Sequence, residues 1–498
     1  MRHTGARQRV QPPARTAPRV QHQTLTFQPG PRQLQQPQPH FLAHRDIARI
    51  IRAPGMLLAG VVSVRVKYVR ILLLTHYYPP EVGAAPARIA ALARGLADRG
   101  MKVTVHTGFP HYPSGTIARP YRNRLLRVRH EDGVKLVRSL VYPTPNRGFA
   151  RRLANHTVFA AGALATCAAS GPADVVVAET PPLFTAFAGV LYAKRKHARL
   201  ALNVSDLWPE SAIELGAIGE GSAATAAATA AHALARLCYR QAALITAPTK
   251  GIVASLNARP EASGKIVQVP PAVDVERFAS LPEPAPRAGA PLRVLYAGTL
   301  GMAQGLSTLI DAAALAGPAL VEVTIAGEGP DAPLLRRQIA TLGLDNVRLV
   351  GAIAPEDVPR LYAQADAGIV PLRDRPIFNG ALPTKLFEVL AAARPAILAS
   401  RGEAATLVRE ADAGLIVTPE DAQALAAAFH QLRSNPHEAI AMGQRGRLAA
   451  RRFDRTSAVA QWEELLRRLP GAPRCAPAAP AQHRADRAQA RGDSSDAP

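Results

Sequence analysis

The stretch Leu382-Pro383-Thr384-Lys385-Leu386-Phe387-Glu388, continuing Val389-Leu390-Ala391-Ala392-Ala393-Arg394-Pro395-Ala396-Ile397-Leu398, reads as a helix start, a helix, a short turn and an apolar strand. A helix start favours anions, because its first amide N–H groups are unpaired and the dipole is positive there. Lys385 adds a full positive charge beside those amides, and Glu388, three residues on, can accept hydrogen bonds from two hydroxyls. A phosphate beside a vicinal diol is the group such a pair would hold. The competing reading is an ordinary amphipathic helix with an i,i+3 surface pair.

The same alternation extends in both directions. In the first half, strand-like runs fall at 69–75, 102–107, 134–138, 174–178, 200–204, 244–247 and 266–269. In the second half they fall at 293–297, 321–326, 347–350, 367–371, 396–399 and 415–417. These runs are short, continuous and aliphatic, as parallel strands covered on both faces should be. Ala/Leu-rich helical runs separate them, which predicts an α/β fold of doubly wound sheets. The pattern pauses over 279–291, where Pro and Gly are dense, and then restarts. Two Rossmann-like domains are therefore expected, at 69–278 and 292–450, joined by a linker at 279–291. Residues 1–55, rich in Arg, Gln and Pro, read as disordered or as lying upstream of a start at Met56; residues 471–498 read as a tail. Ligands of open α/β sheets bind at the carboxyl ends of the strands, so two such sheets can hold a donor and an acceptor across a cleft.

The formal charge of +23 is uneven. Residues 65–152 carry 17 basic and 4 acidic side chains, whereas 291–445 carry 13 basic and 16 acidic ones. Arg119, Arg122, Arg124, Arg127, Arg129, Lys135, Arg138, Arg147, Arg151 and Arg152 concentrate the excess in 119–152. A cationic face attracts nucleic acid, anionic lipid or a phosphorylated substrate. Few aromatics interleave these arginines and no reading helix is visible, which disfavours nucleic acid. Cys167, Cys238 and Cys475 show neither metal nor redox spacing, so a reducing cytoplasm fits. No signal peptide is read near residue 1, and the apolar runs 57–69 and 158–169 are too short to span a bilayer. The second could lie in a membrane interface, or be a buried helix.

Several strand ends carry residues suited to a ligand. Thr75-His76-Tyr77-Tyr78-Pro79-Pro80-Glu81-Val82-Gly83-Ala84-Ala85 leads into a helix from Pro86 to Gly100; the small Gly83 and Ala84 allow close approach to the helix start. No G-x-G-x-x-G is present, against a nicotinamide site. Asp206, at the strand end before Leu207-Trp208-Pro209-Glu210, can orient an acceptor hydroxyl or cap the next helix. Gly298, Gly301 and Gly305 make a loop, with Thr299 and Gln304, that can offer N–H groups to a diphosphate. Gly327, Glu328 and Gly329 end another strand, and the main chain of Val350 to Ile353 ends a third, where it could pair with a base. Each loop alone has a purely structural reading; their recurrence along one sheet edge favours a site.

Together these motifs resemble the family 4 glycosyltransferases of GT-B fold, and most closely the subgroup of colanic-acid and O-antigen biosynthesis transferases. The resemblance runs from about Val69 to Leu469. It rests on His76 to Glu81 with Gly83-Ala84-Ala85, Asp206-Leu207-Trp208-Pro209-Glu210-Ser211, and Val269-Pro270-Pro271-Ala272-Val273-Asp274 with Phe278. Tyr296-Ala297-Gly298, Gln304-Gly305, Gly327-Glu328-Gly329-Pro330 and Pro383-Thr384-Lys385-Leu386-Phe387-Glu388 complete it. The resemblance implies a retaining, metal-independent transfer from a nucleotide sugar, with no cofactor, to a lipid-linked saccharide in exopolysaccharide, capsule or O-antigen biosynthesis. It implies a last helix over 451–470, with Trp462, crossing back to the first domain. It assigns Glu388 to the ribose hydroxyls, Gly327 to Gly329 and the Val350 strand end to the nucleoside, and Gly83 to the diphosphate side. Two departures stand out. Many relatives carry a first glutamate where this chain has Gly380, and an Arg and a Lys at Thr299 and Gln304. Main chain of Asn379 to Leu382 is expected to serve the donor sugar. Lys385, with Arg373 or Arg375, is expected to neutralise the leaving diphosphate. Catalytic roles then fall to Asp206, Lys385 and Glu388, and donor contacts extend to Pro383, Thr384 and Leu386. The place expected is the inner face of the cell membrane, reached through the cationic 119–152 region. The competing functions are a nucleotide-sugar epimerase of similar build and a basic nucleic-acid-binding protein.

Overall fold

The computed structural model describes residues 68–469, apart from 82, 113, 145–148, 215–220 and 288. The expected tails, Met56, Cys475 and Arg147 lie outside the described residues.

Among the described residues, fourteen strands form two sheets. The first holds β1 (Arg70–Leu74), β2 (Lys102–Gly108), β3 (Leu126–Glu131), β4 (Val134–Ser139), β5 (Val175–Thr180), β6 (Arg199–Val204), β7 (Leu244–Ala247) and β8 (Ile266–Gln268), in the order β3-β4-β2-β1-β5-β6-β7-β8. The second holds β9 (Leu292–Ala297), β10 (Val321–Ala326), β11 (Val347–Gly351), β12 (Ala367–Pro371), β13 (Ala396–Ala399) and β14 (Gly414–Val417), in the order β11-β10-β9-β12-β13-β14. All pairs are parallel except β3–β4, which is antiparallel. Strand order reverses between β1 and β5, and between β9 and β12, the positions where doubly wound sheets open a crevice.

Neighbouring residues of a strand point to opposite faces, and both faces are dry here. In β1, Leu72 and Leu74 pack with Phe159 and Tyr192, while Ile71 and Leu73 pack with Leu92 and Leu96. In β9, Val294 and Tyr296 pack with Leu309 and Phe429, while Leu295 and Ala297 pack with Leu386 and Phe387. Burial on both faces is why the strands read as unbroken aliphatic runs.

The run from Val158 belongs to the core: helix Phe149–Ala165 buries Phe159, Ala160 and Ala163 beneath Tyr192, whose hydroxyl donates to the Ala163 carbonyl at 2.7 Å. Cys167 and Cys238 are buried free thiols. Strand β3 is invisible in the sequence, because its Leu-Arg-Val-Arg-His-Glu pattern buries neither face.

The last helix, Arg455–Arg468, lies against helix Ala84–Asp98 of the first sheet's layer. Val459, Trp462 and Leu466 enter the same core as Ile89 and Leu96. Gly95 makes the approach possible, since a Cβ there would stand 2.8 Å from Val459 Cγ1. Main-chain bonds from Val273 N–H to the Phe453 carbonyl and from Arg455 N–H to the Val273 carbonyl, both 2.9 Å, fasten the return.

Candidate functional site

The carboxyl edges of the two sheets meet. Glu403, after β13, accepts from the N–H groups of Lys250 and Gly251 at 3.0 and 3.3 Å, where helix Lys250–Asn257 begins after β7. The Ile377 N–H, after β12, donates to Glu214 at 3.2 Å. Gly380 faces Gly251 so closely that a Cβ on Gly251 would stand 3.0 Å from the Gly380 Cα. The site of the missing glutamate is thus a lobe-to-lobe contact.

On the second lobe, helix Thr384–Ala391 starts beneath the loop that follows β9. Lys385 is half-buried and its Nζ donates to Tyr296 Oη at 2.9 Å. The ammonium lies 4.6 Å from the centre of the same ring. Gly298 makes room for it: a Cβ at residue 298 would come within 3.1 Å of Lys385 Cε. Burial lowers the ammonium to about 8, opposed by the Glu388 charge. The Glu388 carboxylate is half-buried and has no hydrogen-bond partner among the described residues. Burial raises it, against the fields of Arg277, Lys385 and Arg455. A cation and an unpartnered carboxylate one helical turn apart can hold an anion and a hydroxyl pair side by side.

The flanking loops are held by backbone. Gly298 N–H donates to Ala326 O at 2.9 Å, and Leu300 N–H to Glu328 O at 3.0 Å. Gly327 and Gly329 are glycines because the chains cross there: a Cβ at 327 would stand 1.8 Å from Gly298 O, and one at 329 would stand 2.1 Å from Leu300 O. Thr299 and Glu328 are exposed at this rim. Gln304 turns inward to brace the loop, its Oε1 accepting from Gly301 N–H at 3.2 Å. Arg373 follows β12 and is exposed; its N–H donates to Ala303 O at 3.0 Å, placing it beside Gly305. Arg375 is exposed two residues on, while Pro383 and Thr384 head the helix half-buried. Leu386 departs from expectation: its side chain is in the core and its N–H is taken by Pro383 O at 3.0 Å. Val350 is exposed on the edge strand and Ile353 packs inward, but the Gly351 carbonyl is already used by Gly327 N–H at 2.7 Å.

On the first lobe, Gly83 and the exposed Ala84 open helix Ala84–Asp98 toward the same edge. Asp206 is half-buried and bonded to the Ser211 hydroxyl and the Leu207 N–H; burial nonetheless raises it. Arg138, counted with the surface arginines, is buried instead and donates to Gly108 O at 3.0 Å and to Pro79 O.

Two polar clusters at this edge join residues too distant in sequence to be linked by spacing. Glu179, ending β5, accepts from Thr75 Oγ1 at 2.6 Å and Arg88 at 2.5 Å; Arg88 also donates to Ser205 Oγ at 2.9 Å. Glu81 is buried and accepts from the N–H groups of Tyr78, His111 and Tyr112 at 3.0–3.3 Å. Beside it, His76 is buried against His111, His156 and Phe159, and neither ring nitrogen has a hydrogen-bond partner among the described residues. Burial lowers His76 well below its ordinary range and His156 to about 4.

Residues 83–272 match the profile described as glycosyl transferase 4-like domain, and residues 291–435 match that of glycosyl transferases group 1. Over 392 residues the chain is 24% identical to the colanic acid biosynthesis glycosyl transferase WcaI assigned in Escherichia coli K12, covering 75% of this chain and 94% of that protein. Its fold is similar to a sucrose-phosphate synthase from Thermosynechococcus elongatus, with TM-score 0.63 and 18% identity over 80% of this chain and 99% of that one. It is also similar to Anabaena HepE in complex with UDP and glucose, with TM-score 0.59 and 18% identity over 80% of this chain and 100% of that one. By its two matched halves and its two facing sheets, the chain belongs to the family 4 glycosyltransferases and has the GT-B fold.

Proposed function

We propose that this glycosyltransferase moves a sugar from a nucleotide sugar to a lipid-linked saccharide, with retention of anomeric configuration and without an obligatory metal or other cofactor. The observation that carries the reading is the pair Lys385 and Glu388: an ammonium at a helix start, one turn from a carboxylate without a hydrogen-bond partner among the described residues. The diphosphate would lie on Lys385 and the N–H groups heading its helix, with Arg373 at the rim. Glu388 would take the ribose hydroxyls. The anomeric carbon would then point toward Gly83 on the opposite lobe.

The bond from the anomeric carbon to the phosphate oxygen breaks, and a bond to the acceptor oxygen forms on the same face. The departing phosphate takes the acceptor proton. Negative charge grows on that phosphate, so a fixed cation and aimed N–H groups lower the barrier. Closure of the two lobes excludes water, which would otherwise hydrolyse the donor. The WcaI relative is named for colanic acid biosynthesis and HepE holds UDP and glucose, which supports a polysaccharide product and a nucleoside diphosphate donor.

The test is a panel of UDP, GDP, ADP and TDP sugars offered to the purified protein, read by thermal shift and by donor turnover in EDTA. A stabilising donor whose effect disappears in Lys385→Ala and Glu388→Gln is expected. Indifference to every donor overturns the reading, and conversion of the donor sugar without an acceptor would make the protein an epimerase.

A further inference from the structure

We infer that Arg277, on the segment crossing between the two lobes, is a positioning residue for the donor: it pins the loop after β11 and supplies the counter-charge to Glu388. This role rests on the donor reading of Lys385 and Glu388. The chain leaves the first sheet at β8 and enters the second lobe through helix Glu276–Ala279. Val273 and Phe278 are buried in the same core as Leu386, Phe387 and Leu390 of the helix that carries Lys385 and Glu388, and Val275 and Ile353 pack against that core. The Phe278 ring lies 6.0 Å from the ring of Tyr362. A buried Phe278 fixes its neighbour. Arg277 is half-buried, its guanidinium 5.6 Å from the centre of the Phe278 ring, and its Nη2 donates to the Pro355 carbonyl. Pro355 follows the loop that leaves β11 at Gly351, on the side proposed for the nucleoside. One side chain of the crossing segment thus reaches the nucleoside loop.

Charge gives the same side chain a second task. An ionised carboxylate is acceptor-only, with both oxygens open to a pair of hydroxyls. Burial works against that charge on Glu388, and of the cations that oppose burial Arg277 acts most strongly, ahead of Lys385 and Arg455. Arg455 is already paired with Asp274 at 3.0 Å. Lys385 is bonded to Tyr296 at 2.9 Å and, in the donor reading, belongs to the diphosphate. Tyr362, on helix Val358–Gln364, also lies in the field of Glu388, but burial raises its phenol, so it stays neutral. Arg277 makes no ion pair among the described residues and holds only a carbonyl. It is the cation left to balance Glu388, and a guanidinium keeps its charge at every working pH. It acts without a hydrogen bond to Glu388, so both carboxylate oxygens remain open to the ribose.

The experiment is isothermal titration of the full chain with UDP, GDP and ADP, each beside its 2′,3′-dideoxy analogue, between about pH 5 and 7.5. The wild type is expected to prefer the ribose form of one of them. Its affinity is full where Glu388 is ionised and falls as acid protonates that carboxylate. Arg277→Gln keeps a donor for the Pro355 carbonyl and removes the charge. It should lower ribonucleotide affinity at neutral pH by roughly 5- to 20-fold, shrink the preference for the ribose hydroxyls, and move the acid limb to higher pH. Arg277→Lys should return the limb toward its wild-type position. Arg287→Gln, on the same connection and paired with Asp366 at 3.1 Å, should change none of these. A wild type that prefers the ribose form while Arg277→Gln matches it in affinity and acid limb overturns the role of Arg277 alone, as does a loss equal at every pH that lysine does not repair. A wild type indifferent to the ribose hydroxyls overturns the donor reading and this role with it. Circular dichroism checks that every variant folds.

Discussion

The Tyr296 hydroxyl accepts from the Lys385 ammonium at 2.9 Å and donates to the Thr299 carbonyl at 2.6 Å, so one buried phenol fixes both the cation and the loop above it. Tyr296→Phe keeps the ring and removes the acceptor. Hydrogen bonds to charged groups contribute about 1.5–3 kcal/mol, and Lys385 is only half-buried, so we expect donor affinity to fall about tenfold with the fold intact. Lys385→Ala should cost about 100-fold or more in turnover. Isothermal titration with the nucleoside diphosphate separates the two, and unchanged affinity in Tyr296→Phe would show that the phenol does not position the lysine.

Donor binding should depend on alkaline pH. The free protein holds Lys385 at about 8 because burial disfavours its charge. A diphosphate binds the protonated form, so affinity is full below that value and falls as pH rises through it. Lys385→Arg, whose side chain keeps its charge, should flatten the profile between pH 7 and 9 even if it binds more weakly. A wild-type profile flat over that range would contradict the assignment.

Acid should destabilise the first lobe through its buried histidines. Burial lowers His76 well below 6.5, His106 to about 3 and His156 to about 4. The unfolded chain therefore takes up these protons first. Stability is fully present above the unfolded value and is lost as pH falls below it, at up to ~1.4 kcal/mol per pH unit for each histidine. Glu81, raised by burial, works in the opposite direction. Urea unfolding of the wild type and of His76→Phe between pH 7 and 5.5 isolates one histidine, and an identical pH dependence in the two would count against it.

Much of this architecture is legible because burial on both faces leaves strands such as Ala367–Pro371 and Ala396–Ala399 as apolar blocks between turns. The Lys385–Glu388 pair is legible because a helix repeats within a few residues. Tyr296 as the partner of Lys385 is not, since 89 residues separate them. The same holds for Arg88, Glu179 and Ser205, which come from a helix and two different strand ends. β3 escapes notice because it alternates Leu and Val with Arg while burying neither set. Gln304 and Asp206 show the reverse limit: polar residues at strand ends look available for a ligand until the structure shows them bonded to Gly301 and Ser211.

Gly327 offers a test of whether the donor-side glycines serve the backbone or a ligand. Its φ is +144°, and a Cβ would meet Gly298 O at 1.8 Å, so Gly327→Ala should cost about 2–4 kcal/mol of stability before any donor is added. Gly351, at φ +78° with nothing within 4 Å of a Cβ, should cost only about 1–2 kcal/mol when changed to Ala. Chemical unfolding of both variants ranks them, and a harmless Gly327→Ala would mean that the two loops part to admit a methyl group.

The contact between lobes supplies the last test. Glu403 places both carboxylate oxygens on the free N–H groups that start helix Lys250–Asn257. A carboxylate there is favoured by the helix dipole as well as by the two bonds. Glu403→Gln retains one acceptor oxygen and removes the charge, which should weaken the closed arrangement by about 0.5–1 kcal/mol, discounted for its partial exposure. Neither Glu403 nor Lys250 lies in the Lys385–Glu388 cradle. Nucleoside diphosphate affinity should therefore stay near wild type, while kcat/KM for transfer, which needs both lobes together, should fall about two- to fivefold. X-ray scattering without ligand should show a larger radius of gyration. Loss of nucleotide affinity with unchanged scattering would mean that Glu403 acts on the donor site and not on closure.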